Sequence, residues 1–231
     1  MKFFDFFYTR EGRGIDKDEP RKTGMALFLD IAARDGWDVL KLTAMLVVCA
    51  LPVVTIPPAL AAYHSALMRI VRDQPGDAMQ DFRSGWRKNW KQAYACGLPT
   101  LLIMGALRFA MVFYATQFGG GTPLFLLCIA LLVICGVAWI YLFPLLTTVS
   151  LRARDVCKNA LLLGIGRAPR SLPALLGSVL LFWCAALLPL GFDLLGFFIA
   201  TALVSLVCDL VAWGDICAYV LQDSDKTDAE G

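Results

Sequence analysis

Between Phe109 and Leu151 the chain runs for 43 residues without one charged side chain. A membrane-spanning helix takes roughly 20 mainly apolar residues, so this stretch is long enough for two. Four further uncharged runs accompany it: Leu42–Met68, Gln92–Leu107, Ser171–Phe192 and Leu194–Cys208. They leave 17% charged residues in a chain of 231, against about a quarter in soluble domains. The expected class is all-α, a polytopic helical membrane protein.

Lys and Arg divide the rest of the chain. Residues 1–41 hold eight of them, 69–91 hold six and 152–170 hold five. The connections Gln117–Pro123 and Gly191–Asp193 hold none. Cytoplasmic loops collect Lys and Arg. The basic segments are therefore expected inside and the empty ones outside, with both termini cytoplasmic in a multi-pass protein of the cell membrane. The N-terminal stretch MKFFDFFYTREGRG lacks a continuous apolar core, so the first membrane segment is expected to act as its own signal.

Two basic segments flank Leu42–Met68, so the chain should cross an even number of times between them. The stretch LPVVTIPPALAAYH, Leu51 to His64, carries the means of turning round. Pro52 punctuates the run. Pro57 and Pro58 cannot continue a helix from above, because each lacks an N–H and clashes one turn back. They suit the first turn of a new helix, with Thr55 as its N-cap. A turn is favoured over the alternative, one proline-kinked helix with its N-terminus outside.

Six membrane segments follow as three hairpins: 37–56 with 57–72, 93–114 with 124–148, and 172–190 with 194–218. Segment 57–72 measures about 24 Å at 1.5 Å per residue, against roughly 30 Å of hydrocarbon, so it either spans or re-enters. The organisation is a cytoplasmic amphipathic region 1–36, a membrane domain 37–219 and a polar, acidic tail 220–231.

An interfacial helix is expected before each hairpin. In the second, DAMQDFRSGWRKNWKQA, Met79, Phe82, Trp86, Trp90 and Ala93 recur at three or four, while Arg83, Arg87, Lys88 and Lys91 lie elsewhere. Basic residues beside Trp are the pattern of a surface helix. Trp86, Arg87, Lys88, Trp90 and Lys91 are candidates for docking on anionic lipid or a partner; anchoring of the loop is the plainer reading.

Ionisable groups inside apolar runs are functional candidates by default. Arg108 lies six residues before Tyr114 and can snorkel to the outer interface, with Asp193 as a candidate counter-ion. His64 is the only histidine, so it forms neither a metal site nor a triad by itself; a hydrogen-bonded helix position is expected. Asp209 and Lys41 fall near the inner ends of their helices and are a candidate pair. The eight cysteines contain no CxxC spacing and read as small hydrophobes. GxSxG, HExxH and phosphate-loop patterns are missing. No catalytic residue, metal or cofactor is expected, and no nucleic-acid partner.

Several blocks in order carry a resemblance: GRGIDKDEP (Gly12–Pro20), WDVLKL (Trp37–Leu42), LPVVTIPPALAA (Leu51–Ala62), VRDQPG (Val71–Gly76) and FRSGWRKNWKQA (Phe82–Ala93). They resemble the YesL family of bacterial integral membrane proteins, the domain of unknown function 624. The family more often has Gly where this chain has Pro57, and commonly an Asn near Thr43. Family genes often neighbour those of sugar-uptake ABC transporters. The resemblance thus implies a non-enzymatic accessory or regulatory protein for carbohydrate ABC uptake, with transporter subunits and the lipid bilayer as partners. The alternative is a small transporter or channel with its site near the proline-broken hairpin.

Overall fold

A computed structural model describes residues 25–118, 122–149, 151–187 and 193–218. Among them are eight α-helices and no strand: α1 (Met25–Arg34), α2 (Gly36–Ala50), α3 (Ile56–Val71), α4 (Ala78–Phe118), α5 (Pro123–Thr148), α6 (Ala153–Gly166), α7 (Ala168–Ala186) and α8 (Asp193–Ile216). A 3₁₀ turn, Val53–Thr55, joins α2 to α3. The N-terminal part of region 1–36, the GGG turn at 119–121 and the tail 220–231 lie outside the described residues.

The chain turns back at the proline stretch. Thr43 Oγ1 lies 3.3 Å from the Tyr63 hydroxyl, and Arg34 pairs with Asp73 at 2.7 Å. Residues equidistant from the turn therefore meet, as in two antiparallel helices. Thr55 sits at the N-cap of α3, yet its side chain makes no cap bond there. The reason is chemical. A cap accepts from the N–H of the second or third helical residue, and those are Pro57 and Pro58, which have none. Thr55 Oγ1 instead donates to the carbonyls of Cys49 and Pro52 and closes the end of α2. At its other end α3 stops at Asp73, whose φ of 56° lies in the left-handed region. The amides of Asp73 and Gln74 there bond back to Ile70 and Arg69.

α4 is 41 residues long and continuous. The expected surface helix and the membrane segment after it are one helix of about 61 Å along its axis, with Pro99 inside it where the two halves join. α3 packs antiparallel along the first half of that helix. Arg69 bonds Asp81, Gly85 faces Ser65 and Ala62, and Gly97 faces Pro57. From Gln92 on, α4 also packs against the end of α5: Gln92 Nε2 donates to the carbonyl of Leu151, just past that helix, at 2.6 Å, and Gly97 faces Phe143. α6 folds back along α5, with Gly164 against Val137. α7 and α8 form a further antiparallel pair, in which Phe182 stacks on Phe197.

Burial splits the bundle in two. One core gathers Tyr141, Phe143, Leu145, Leu146, Val156, Ala160 and Ala212. The other gathers Ile31, Leu42, Tyr63, Leu67, Phe82 and Leu206. Elsewhere large apolar side chains face outward, including Leu102, Ile103 and Phe109 on α4, Leu126 and Leu127 on α5, and Leu176, Val179 and Leu180 on α7. An apolar surface of this extent is the kind that a bilayer covers.

Among the described residues, four helices are long and apolar enough to cross a membrane: Ala78–Phe118, Pro123–Thr148, Ala168–Ala186 and Leu195–Ile216. The expectation of six segments is corrected here. α2 and α3, at 15 and 16 residues, fall short of the roughly 20 that a span needs.

Close approach of α3 and α4 makes Gly85 sensitive. A Cβ there would stand 2.7 Å from Ser65 Cβ and 3.3 Å from Ala62 Cα. Gly85→Ala should lose about 1–3 kcal/mol by overpacking. Gly105, further along the same helix with nothing within 4 Å, should gain up to about 1 kcal/mol as Ala. Thermal unfolding of both variants in detergent checks the opposite signs.

Candidate functional site

Two polar clusters are buried between the helices. In the first, Asp209 on α8 is wholly buried and its Oδ1 lies 2.7 Å from His64 Nδ1 on α3. One proton is shared between the His64 Nδ1 and the Asp209 carboxyl oxygen. Phe143 of α5 stacks on the imidazole at 5.6 Å between ring centres. Thr43 of α2 gives its proton to the Val39 carbonyl at 2.9 Å. The neighbouring Tyr63 hydroxyl therefore donates to Thr43. Four helices converge on this point. The Asp209 Oδ2 is buried with no hydrogen-bond partner among the described residues. The pair can hold and hand on a proton.

The two residues were separate candidates in the sequence, and their pairing is a tertiary fact. Asp209 does not pair with Lys41, which reaches Asp38 on its own helix at 2.9 Å. His64 meets a carboxylate 145 residues away, which no local pattern announces.

The second cluster was not foreseen. Asp215 on α8 is fully buried. Its Oδ1 accepts from Arg167 Nε and Arg170 Nη1, each at 3.1 Å, and its Oδ2 from the Tyr141 hydroxyl at 2.8 Å. Arg167 and Arg170 lie at the junction of α6 and α7, and Tyr141 on α5. One carboxylate thus ties four helices together. Its signal in the sequence was an acid in WGDI, six residues after Asp209 in an otherwise apolar helix.

A cleft of about 270 Å³ opens at the base of the α2–α3 pair, lined by Asp35, Asp38, Asp73, Asp81, Arg34 and Arg69 among others. Its charges are largely paired internally. Arg34 bonds Asp35 and Asp73, and Arg69 bonds Asp81. The hydrogen bond to Asp35 raises the pKa of the Arg34 guanidinium above its ordinary value. Nearby, Arg72 lies 4.3 Å over the Trp213 ring, joining the end of α3 to α8.

Arg83, Arg87, Lys88, Trp90 and Lys91 are exposed on the first half of α4, with the Lys91 ammonium 5.4 Å over the Trp90 ring. Trp86 departs from the docking set, because it packs beside Phe82 against the α2–α3 core. Arg108 is exposed on α4 and forms no ion pair among the described residues. The Asp193 side chain, its candidate partner, lies outside them. Pro57 and Pro58 are buried in the first turn of α3, and Pro52 is exposed in the turn before it. No group of three or more His, Cys, Asp or Glu able to hold a metal occurs among the described residues.

Helical throughout its described part and apolar on its outer surface, the chain falls in the class of membrane-embedded helical proteins. Residues 39–111, about a third of the chain, match the family described as "Protein of unknown function, DUF624". No curated protein and no solved structure matches the chain.

Proposed function

We propose that the whole chain is a member of this family and a multi-pass protein of the bacterial cell membrane, both termini cytoplasmic. It crosses four times, through the apolar part of α4 and through α5, α7 and α8. It acts without catalysis, as an accessory or regulatory partner of a carbohydrate ABC importer.

The observation that carries this reading is the overhang of α4. The helix is about 61 Å long, roughly twice the hydrocarbon thickness. Its surplus half presents Arg83, Arg87, Lys88, Lys91 and Trp90 to the surroundings. An exposed and basic surface carried on a spanning helix suits docking on another protein at the membrane face. The sugar-uptake association comes from the family resemblance.

Affinity purification of the full chain from native membranes in mild detergent, followed by mass spectrometry, tests it. Stoichiometric ABC permease or ATPase subunits are expected, and Arg83, Arg87, Lys88 and Lys91 changed together to Gln should release them. A protein that purifies alone would end the accessory reading.

The buried His64–Asp209 pair favours a second reading, a small transporter whose site lies beside the proline-broken turn. That reading requires flux through liposomes containing this protein alone, abolished by His64→Leu.

A further inference from the structure

We propose that the α2–α3 hairpin does not cross the bilayer, but stands against the cytoplasmic half of α4 and buries its tip among the acyl chains of the inner leaflet. This rests on the inside orientation of the basic segments adopted above.

Register carries the argument. Arg69 meets Asp81, Ser65 and Ala62 meet Gly85, and Pro57 meets Gly97. The whole of α3 therefore lies beside residues 81–97 of α4. That stretch bears Asp81, Arg83, Arg87, Lys88 and Lys91, four of them exposed basic residues. Such a segment cannot stand in hydrocarbon, so neither can the helix alongside it. Thr43–Tyr63 and Arg34–Asp73 place α2 at the same level. Past Gly97, α4 continues through Leu98–Phe118, 21 residues or about 31 Å. That alone matches the hydrocarbon core. The tyrosines Tyr94 and Tyr114 bracket nearly the same stretch, as aromatic side chains do at the two interfaces. The top of the hairpin reaches only the near edge of this zone.

What stands at that edge is apolar. Leu51, Val53 and Val54 are 71–77% exposed, and Val48 beside them 64%. Lipid tails cover them best, because the lipid-facing run of α4 begins at the same level with exposed Leu98.

The backbone of the tip is also satisfied in large part from within, the amides of Val53 and Val54 excepted. In lipid every N–H and C=O must find a partner within the protein. The Leu51 amide bonds the Val48 carbonyl, the Thr55 amide the Pro52 carbonyl, and the Ile56 amide the Val53 carbonyl. Thr55 Oγ1 adds bonds to the Cys49 and Pro52 carbonyls. Pro52, Pro57 and Pro58 have no N–H to satisfy. A helix start normally leaves its first four amides without an intrahelical partner. Here two of those four do not exist and a third is bonded.

The test uses the full chain in membrane vesicles of both orientations. Val53→Cys, Thr122→Cys and Gln80→Cys are each treated with a bulky membrane-impermeant maleimide, and labelling is read as the mass increase over the unsubstituted chain. Thr122→Cys should react only from outside, Gln80→Cys only from inside, and Val53→Cys from neither side. In parallel, the unsubstituted chain is reconstituted with a phospholipid carrying a diazirine on its acyl chain and illuminated. Mass spectrometry should find carbene adducts on Leu51–Val54, as on Leu102–Phe109 of α4. Reaction of Val53→Cys from outside would mean that the hairpin spans. Reaction from inside, or a tip without adducts, would mean that it stands clear of the acyl chains. Either result overturns the proposal. An exchange of sides between Thr122→Cys and Gln80→Cys would instead overturn the orientation on which the proposed function depends.

Discussion

Asp215→Ala should destabilise the protein by about 3–5 kcal/mol, the cost of removing one partner from a buried ion pair. The carboxylate is fully buried and serves three donors, one on α5 and two at the junction of α6 and α7. Without it the Tyr141 hydroxyl loses its acceptor, and two guanidiniums are left facing one another. Arg170 is more than half exposed and regains water, so the loss falls chiefly on Arg167 and Tyr141. Tyr141→Phe removes a single bond to a charged acceptor and should cost less, about 1.5–3 kcal/mol. Asp215→Asn should fall between them, since its amide oxygen still accepts from one donor. Unfolding midpoints in a fixed detergent order the three variants. A Tyr141→Phe protein as unstable as Asp215→Ala would show that the arginines contribute nothing.

The second large effect is expected at His64 and Asp209, as non-additivity. Asp209→Leu strands the His64 Nδ1 between α3 and α8, and His64→Leu leaves the Asp209 carboxyl with neither oxygen bonded. Each should cost about 1–3 kcal/mol, the penalty of a buried polar group left without a partner. The double variant replaces both by apolar groups and should recover at least about 2 kcal/mol of the summed loss. A hydrogen bond between membrane helices averages only about 0.6 kcal/mol of coupling. The larger figure is expected here because each single variant leaves a buried polar group without a partner. A coupling indistinguishable from zero would mean that the pair does not form in the protein.

Much of the fold was legible in advance, for identifiable reasons. Uncharged runs locate apolar helices whatever packs against them, because covering by lipid or by protein is equally apolar. Thus 124–148 nearly coincides with the helix Pro123–Thr148. The continuity of α4 was not legible. A polar surface helix and an apolar span differ in composition, and nothing in local preference says that the backbone passes from one to the other unbroken. The count of crossings depends on the level at which α3 stands. Its sequence, IPPALAAYHSALMRIV, is apolar enough for lipid, but its exposure is decided by α4 alongside.

The candidate sites divide in the same way. His64 and Asp209 could be flagged singly, because an ionisable residue in an apolar run is costly wherever it lies. Their union across 145 positions could not. The Asp215 cluster was hidden further, since Arg167 and Arg170 read as ordinary members of a basic loop.

The amino-acid order alone determined a helical membrane protein, the place of its apolar helices, the turn at Pro52–Pro58 and the segregation of basic segments from empty ones. Each follows from the cost of burying charge and from the missing proline N–H, properties that act locally. The tertiary structure alone decided that four helices rather than six are long enough to cross. It also decided that α3 stands beside the basic half of α4, and that the buried acids of α8 meet His64, Tyr141 and the two arginines. Those outcomes depend on the level and rotation at which helices far apart in the chain come together.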